Sequence, residues 1–599
     1  MMPAGVSIIS WRASNVGTVI AALKSSRKVE GKKRNEDLRA IQIFPKPTDC
    51  PLNPREKRNR FLSRGQSAFA ALKVFPPLPH IMACPFPFPP LGFLNRVMLA
   101  LGACIAATTH AASESRAIAS RPNIILLLPD QMRGSAMGVA GNPDVQSSHI
   151  DRLAREGIRF KRTYANVPVC CPARAILLTG TYPQVNGMIA NDLRLRESET
   201  TLAEIFRDAG YRTGFVGKWH LDGGPREPGF VPPGPRRQGF DFWAAYQCHH
   251  QHFLPYYFRD TPEMILVPKF EPEASCDFAV EFLKTKSADR PFFLMVQMGP
   301  PHDPYGAPDD YLKRYDPAKL TMPKSWQPNS ESRPATNAIP AKYRRPDSPN
   351  ATYVKTGGRE ELAAYYAAIT AVDDQVGRLL QTLKDTGQDE NTIILFTSDH
   401  GDMLGSHGLR RKRKPHEESA GVPGLIRWPA RIPAGREVDT LFSHIDMPAT
   451  LLGLAGLTVP AHMQGADLSR VALGQTTAGP DAVLLQIFVP FRPDQITAPW
   501  RGLITDRYTY ARYENAPWVL FDNQRDPAQM TNLAADPAHT ALRSDLDAKL
   551  AALMASKGDA WSFNSQEHVE EGARLYSKAT YYSLQDYLAA TKLEPAQSK

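Results

Sequence analysis

Four short strand-like runs, each ending in residues that carry charge or can ligate, constrain this chain most tightly. Ile124–Leu128 leads into Pro129-Asp130-Gln131, and Arg212–Gly217 into Lys218-Trp219-His220. Phe292–Met298 leads into Pro300-Pro301-His302-Asp303, and Thr392–Phe396 into Ser398-Asp399-His400. Continuous apolar runs of this kind read as strands buried on both faces, the habit of parallel sheets. In open α/β sheets the C-terminal ends of such strands line the ligand crevice.

Helix signals lie between the runs. Ser148 to Asp151 reads as a capping box for a helix ending at Gly157, with a strand over Ile158–Ala165 after it. Thr201 and Glu204 form a second box, and further helices are expected over Ala274–Ser287, Glu360–Asp385 and Asp446–Ala455. Val422–Trp428 reads as another strand. The alternation predicts an α/β domain over residues 120–472, a large, mainly parallel sheet flanked by helices. After a Gly/Thr/Pro linker, short strands at hairpin spacing from Val483 and a helix near Ala541–Ala555 predict a small C-terminal antiparallel α+β domain over 483–599.

The formal charge of +10 is concentrated in the leader. Residues 1–96 carry 16 Lys and Arg against 5 Asp and Glu, which leaves 55 against 56 in the rest. A near-neutral body gives no electrostatic footprint for nucleic acid. Residues 1–94 are basic and aperiodic through residue 81, and read as a disordered leader or as the result of a start codon that belongs at Met82. Residues 95–112, with the apolar run Val97–Ala107 and small residues behind it, read as a signal peptide, too short to span a membrane. The expected location is periplasmic or extracellular. In such a compartment Cys248 and Cys276 could pair, and the sequence leaves that open.

Cys170-Cys171-Pro172-Ala173-Arg174 heads an apolar, helix-compatible run that stops at Gly180. Proline suits a first helical turn, so Cys170 lies at a helix N-terminus, where anions are favoured and cysteines tend to be reactive. The basic run Arg410–Lys414 follows Asp399 closely enough to serve an anionic substrate. His249-His250-Gln251-His252 has the composition of a metal cluster, but in a long aromatic loop it reads better as a substrate wall or plain surface.

Cys170-x-Pro172-x-Arg174 with Leu178-Thr179-Gly180 resembles the signature of the Cys-type, formylglycine-dependent sulfatases of the alkaline-phosphatase-like superfamily. Arg121-Pro122-Asn123 with Asp130, Gly217-Lys218-Trp219-His220, Pro301-His302-Asp303-Pro304 and Ser398-Asp399-His400-Gly401 follow in family order. So does Phe521-Asp522 with Asp526-Pro527 and Asn532-Leu533. The resemblance implies that a formylglycine-generating enzyme oxidises Cys170 to 3-oxoalanine. Cys170 is preferred to Cys171 because only it has Pro at +2 and Arg at +4. It also implies a divalent metal on Asp130, Gln131, Asp399, His400 and modified Cys170. Calcium is the family's ordinary ion. Manganese and magnesium stay open, because His400 stands where many relatives have Asn and imidazole suits transition metals better. Gln131 replaces the more common aspartate, and an amide oxygen still suits a hard cation.

The implied catalytic set is Cys170, Arg174, Lys218, His220, His302, Asp399 and Lys412. A hydroxyl of the hydrated Cys170 aldehyde attacks sulfur, and Asp399 accepts its proton. Lys218, Lys412 and His302 neutralise charge, with His302 and Lys412 serving the leaving oxygen. His220 deprotonates the second hydroxyl to expel sulfate, and Arg174 orients the diol. The implied function is hydrolysis of sulfate monoesters of a glycan or an aryl alcohol. A phosphonate or phosphate ester hydrolase of the same superfamily is the alternative, and a non-catalytic glycan-binding relative is a third reading.

Overall fold

The computed structural model describes residues 121–223, 229–285, 290–328, 358–489, 491 and 494–561, with the backbone of 352–354. The leader and signal-peptide readings fall outside these residues. No helix among the described residues is long and apolar enough to cross a membrane.

The central sheet has eight strands. In chain order they are β1 (Asn123–Asp130), β2 (Ile158–Phe160), β3 (Arg212–Lys218), β4 (Phe242–Tyr246), β5 (Phe292–Pro301), β6 (Thr392–Phe396), β7 (Leu425–Arg427) and β8 (Arg436–Val438). Their spatial order is β8-β2-β7-β6-β1-β5-β3-β4. Seven of them run parallel, in blocks of two and five, and β7 is antiparallel to both of its neighbours. The sheet is therefore mainly parallel, as the runs predict, and the four strands that carry the polar ends, β6-β1-β5-β3, are adjacent. Adjacency in one orientation gathers those ends at one edge.

Alternation along β1 divides the core. Ile124, Leu126 and Leu128 pack with α2 (Cys170–Thr179), α3 (Leu202–Asp208) and α6 (Asp446–Leu454) on one face. Ile125 and Leu127 pack with α1 (Ser148–Arg155), α4 (Glu271–Lys284) and α5 (Arg359–Asp385) on the other. Side chains of a strand point alternately to its two faces, so one strand serves two helical layers.

Beyond the sheet, β9 (Val483–Ile487), β10 (Trp500–Ile504), β11 (Tyr508–Tyr513) and β12 (Ala516–Asp522) form an antiparallel sheet. It packs with α7 (Thr540–Ser556) through Leu546, Leu550 and Met554.

Local readings differ in two places, and a third was open. The Thr201–Glu204 capping box forms, but the Ser148–Asp151 one does not. The α1 N-terminus is instead capped from α5, where the Asp373 carboxylate accepts the N–H of His149 at 2.9 Å and of Ile150 at 2.6 Å. The expected strand Ile158–Ala165 breaks after Phe160, because Thr163–Tyr164 leaves the main sheet to pair with Phe442–Ser443. Cys248 and Cys276 form no disulfide, and the Cys276 thiol faces the Gln375 carbonyl in the core at 3.7 Å.

Gly217, one residue before Lys218, has φ +97°, and a Cβ there would lie 1.9 Å from the Gln297 carbonyl oxygen on β5. Only glycine fits both the conformation and the space. Gly217→Ala is expected to destabilise the fold by about 3 kcal/mol, adding overpacking to left-handed strain. A denaturant midpoint within error of wild type would contradict this.

Candidate active site

Arg174 lies on the first half of α2 and is 0% exposed. All five of its N–H groups are taken by protein. Nε and Nη2 donate to Asp399 Oδ2 at 3.1 and 2.8 Å, and Nη2 also to Asp130 Oδ2 at 3.1 Å. Nη1 donates to the Lys218 carbonyl at 2.9 Å and to Gln297 Oε1. These acceptors sit on or just past β6, β1, β3 and β5, so one guanidinium gathers all four strand ends. No donor remains for a diol or a substrate. Arg174 thereby fixes the two carboxylates and the strand ends around Cys170.

Because Arg174 holds the Oδ2 atoms, both Oδ1 atoms are turned toward His400. His400 Nε2 is 3.7 Å from Asp130 Oδ1 and 3.6 Å from Asp399 Oδ1. His400 Nδ1 donates to the Gly401 carbonyl at 2.9 Å, which leaves Nε2 as a lone pair aimed into the site. Cys170 Sγ is 3.3 Å from the same nitrogen. Ligand atoms of Asp130, Cys170, Asp399 and His400 all lie within 4.8 Å of one another, and all four residues are buried. Asp130 Oδ1 is buried with no hydrogen-bond partner among the described residues. A buried, unpartnered carboxylate oxygen beside a histidine lone pair is a donor set that suits a divalent cation.

Gln131 lies beside this set, with its amide oxygen toward Lys412. It has φ +66°, held by Tyr365 of α5, whose hydroxyl donates to the Gln131 carbonyl at 2.8 Å. Its Nε2 donates outward to Asp402 Oδ2 at 2.7 Å, so Oε1 faces inward, 3.1 Å from Lys412 Nζ. An aspartate here would turn a carboxylate toward Asp402 instead of a donor.

Lys412 Nζ stands at the centre. Besides Gln131 it meets Cys170 Sγ at 3.1 Å, His302 Nε2 at 3.0 Å and His400 Nε2 at 3.0 Å. Lys218 Nζ bonds to Asp130 Oδ2 and lies 3.9 Å from Cys170 Sγ. Burial would raise the Cys170 thiol pKa, but Lys218, Lys412 and His400 outweigh it and hold the pKa well below the ordinary value. Burial would likewise raise the Asp130 carboxyl, and Lys218 and then His302 overcome it. The site is therefore built to stabilise negative charge at residue 170.

His302 donates Nδ1–H to the Asp303 carbonyl at 2.6 Å, which turns Nε2 toward Lys412. His250 stacks on its ring with centroids 4.5 Å apart, while His249 bonds through Nε2 to the Tyr256 carbonyl at 3.0 Å. The 249–252 cluster is thus a wall beside His302, and no metal group among the described residues includes it. His220 Nε2 pairs with Asp192 Oδ1 at 3.0 Å, which fixes the ring. Burial would lower the His220 pKa, but the thiols of Cys171 and Cys248, with bonds to Asp192 and Cys170, raise it well above the usual value.

The structure thus brings together all ten residues singled out in the sequence. Sequence reasoning missed Asp192, Gln297 and Asp402, which orient His220, Arg174 and Gln131. Gln297 lies inside the run Phe292–Met298 and the other two in irregular segments, and no spacing connects any of them to its partner.

A family model described as "Sulfatase" matches residues 122–457, and one described as "N-sulphoglucosamine sulphohydrolase, C-terminal" matches residues 405–556. The chain is 38% identical over 455 residues to an ulvan-active sulfatase of Formosa agariphila, covering 75% of this chain and 84% of that protein. It is similar to the solved structure of BT4656 in complex with its substrate D-glucosamine-2-N,6-O-disulfate, with TM-score 0.65 and 25% identity over 74% of this chain and 99% of that one. The phosphonate monoester hydrolase of Agrobacterium radiobacter is more distant, with TM-score 0.58 and 25% identity over 73% of this chain and 96% of that one.

Arg174→Lys keeps the charge but supplies at most three donors where the guanidinium makes five hydrogen bonds. We expect a loss of about 3–5 kcal/mol in stability, the usual cost of breaking a buried ion network, together with a sharp fall in activity. A variant with wild-type melting temperature and turnover would show that the clamp is dispensable.

Proposed function

Because the chain belongs to the sulfatase family and is a sulfuric ester hydrolase, we propose that matured Cys170 is its nucleophile and that a sulfated glycan is its substrate. The observation that carries this reading is the convergence of Lys218, Lys412 and His400 on Cys170, beside two carboxylates held by Arg174. A sulfate monoester is a stable anion, so the site must neutralise charge as the S–O bond breaks. As the hydrate of 3-oxoalanine, a geminal diol, residue 170 supplies a hydroxyl for attack at sulfur.

Asp130, Gln131, Asp399 and His400, with residue 170, would hold a divalent cation, for which calcium is our assignment. When bound, it supplies Lewis-acid neutralisation of the sulfate charge. The residues divide the remaining work by position. Asp399, whose Oδ1 accepts the backbone N–H of Gln131 at 3.0 Å, takes the proton of the nucleophile. Lys412 donates toward His302 Nε2, and this pair protonates the leaving sugar oxygen. His220, held by Asp192, takes the second proton that releases sulfate.

The glycan assignment is supported by the sulfated sugar held by BT4656 and by the ulvan-active relative. The same reading divides the chain at 472 and 483 into a catalytic domain and a small C-terminal domain. It includes export through residues 95–112 and maturation by a formylglycine-generating enzyme.

Mass spectrometry of the peptide containing Cys170 from matured protein should show the thiol replaced by an aldehyde at that residue. Cys170→Ala should abolish turnover, and Cys171→Ala should retain much of it. Equal loss from both would sink the assignment. Matched aryl sulfate, sugar sulfate and phosphonate ester should be cleaved in favour of the sulfates, and a faster phosphonate rate would move the chain to the other branch of the superfamily.

A further inference from the structure

Within the run Arg410–Lys414, four cations have partners inside the protein. Arg410 donates twice to Glu361, Lys412 enters the active site, and Lys414 bonds to the Arg410 carbonyl. Arg413 lies over the Phe491 ring and pairs with Asp494 at 3.4 Å.

Arg411 differs from all of these. Its guanidinium makes no hydrogen bond among the described residues, and its carboxylate neighbours stand off, Asp494 at 3.8 Å and Asp303 at 4.0 Å. Those distances orient the fork without saturating its donors. The side chain is 42% exposed, while its neighbour Lys412 is buried. Arg411 and Arg413 both have left-handed backbone, with φ +61° and +72°. That conformation is uncommon outside glycine, and it turns the chain so that Lys412 enters the site while Arg411 stays at the rim.

The rim position matters. Arg411 adjoins Lys412 in sequence and approaches Asp303, the neighbour of His302. Lys412 and His302 are the groups assigned to the leaving oxygen, so Arg411 stands on the leaving-group side. A planar guanidinium with free donors fits a carboxylate or a sulfate in two-pronged fashion.

We infer that Arg411 is a specificity residue that binds a second anionic group on the sugar released. The substrate class is then a sulfated saccharide with a carboxylate or second sulfate close to the scissile ester. This rests on the sulfated-glycan reading above.

The test uses matched sulfated pyranosides that differ only in carrying a hydroxymethyl or a carboxylate at C5, with an aryl sulfate as reference. Wild-type enzyme should show a KM about tenfold lower for the carboxylate member, the order expected of one charge-assisted contact. Arg411→Gln should erase that preference by raising KM for the anionic member, with kcat changing by less than about threefold on either substrate. Arg411→Lys should keep part of the preference. A preference that survives in Arg411→Gln, or its absence from wild type, overturns the proposal. An equal fall in kcat on both members makes Arg411 a support of the Lys412 loop and overturns it as well. Aryl sulfate turnover with neither saccharide cleaved removes the glycan reading itself, whereas saccharide turnover without preference removes only the role of Arg411.

Discussion

Everything in the active site hangs on one buried guanidinium. Arg174 takes the Oδ2 atoms of Asp130 and Asp399, the Lys218 carbonyl and the Gln297 amide oxygen. Taking these charges out of water costs several kcal/mol per ion, so the arrangement is favourable only because every donor is satisfied. Its effect on chemistry is directional. With Oδ2 of each aspartate fixed, Oδ1 of each faces His400 and Cys170. Two carboxylates in one pocket would repel if both faced the same way without a cation between them. Here Arg174 and Lys218 compensate them from behind, and the open side is left for a cation and an anionic substrate.

The second support comes from the C-terminal sheet. Trp500 on β10 donates its indole N–H to the Arg413 carbonyl at 3.0 Å, and Gln529 Oε1 accepts the Glu417 N–H at 3.0 Å. The backbone N–H of Arg413 also reaches the Pro168 carbonyl at 3.1 Å, just ahead of Cys170. The strained loop that carries Lys412 is therefore held between the Cys170 segment and the small sheet. A loop with several left-handed residues keeps its shape only when its surroundings fix it on more than one side.

Much of this was legible in the sequence because strand ends in a parallel sheet announce themselves. An apolar run gives the strand, and the polar residue that ends it gives the site. That logic placed Asp130, Gln131, Lys218, His220, His302, Asp399 and His400 at strand ends, and the resemblance to the sulfatases supplied the roles expected of them. Lys412 was harder. Its neighbours carry the same charge, and only the alternating left-handed backbone selects which cation points inward. What stayed hidden was orientation. Nothing in the spacing says that Arg174 uses all five donors on protein, that Asp192 fixes His220, or that Asp402 turns the Gln131 amide. Those are contacts between residues distant in sequence or within irregular loops, where no periodicity operates. The missed Asp373 cap on α1 has the same cause, since a capping residue borrowed from another helix leaves no local signature.

The most direct test of this account is a crystal structure of the matured enzyme loaded with calcium, with the ion located by anomalous scattering. The account predicts one cation within about 2.3–2.6 Å of Oδ1 of both Asp130 and Asp399, the range for calcium–oxygen ligands, with both Oδ2 atoms still bonded to Arg174. A cation bound through the Oδ2 atoms with Arg174 displaced, or bound away from these carboxylates, would contradict it.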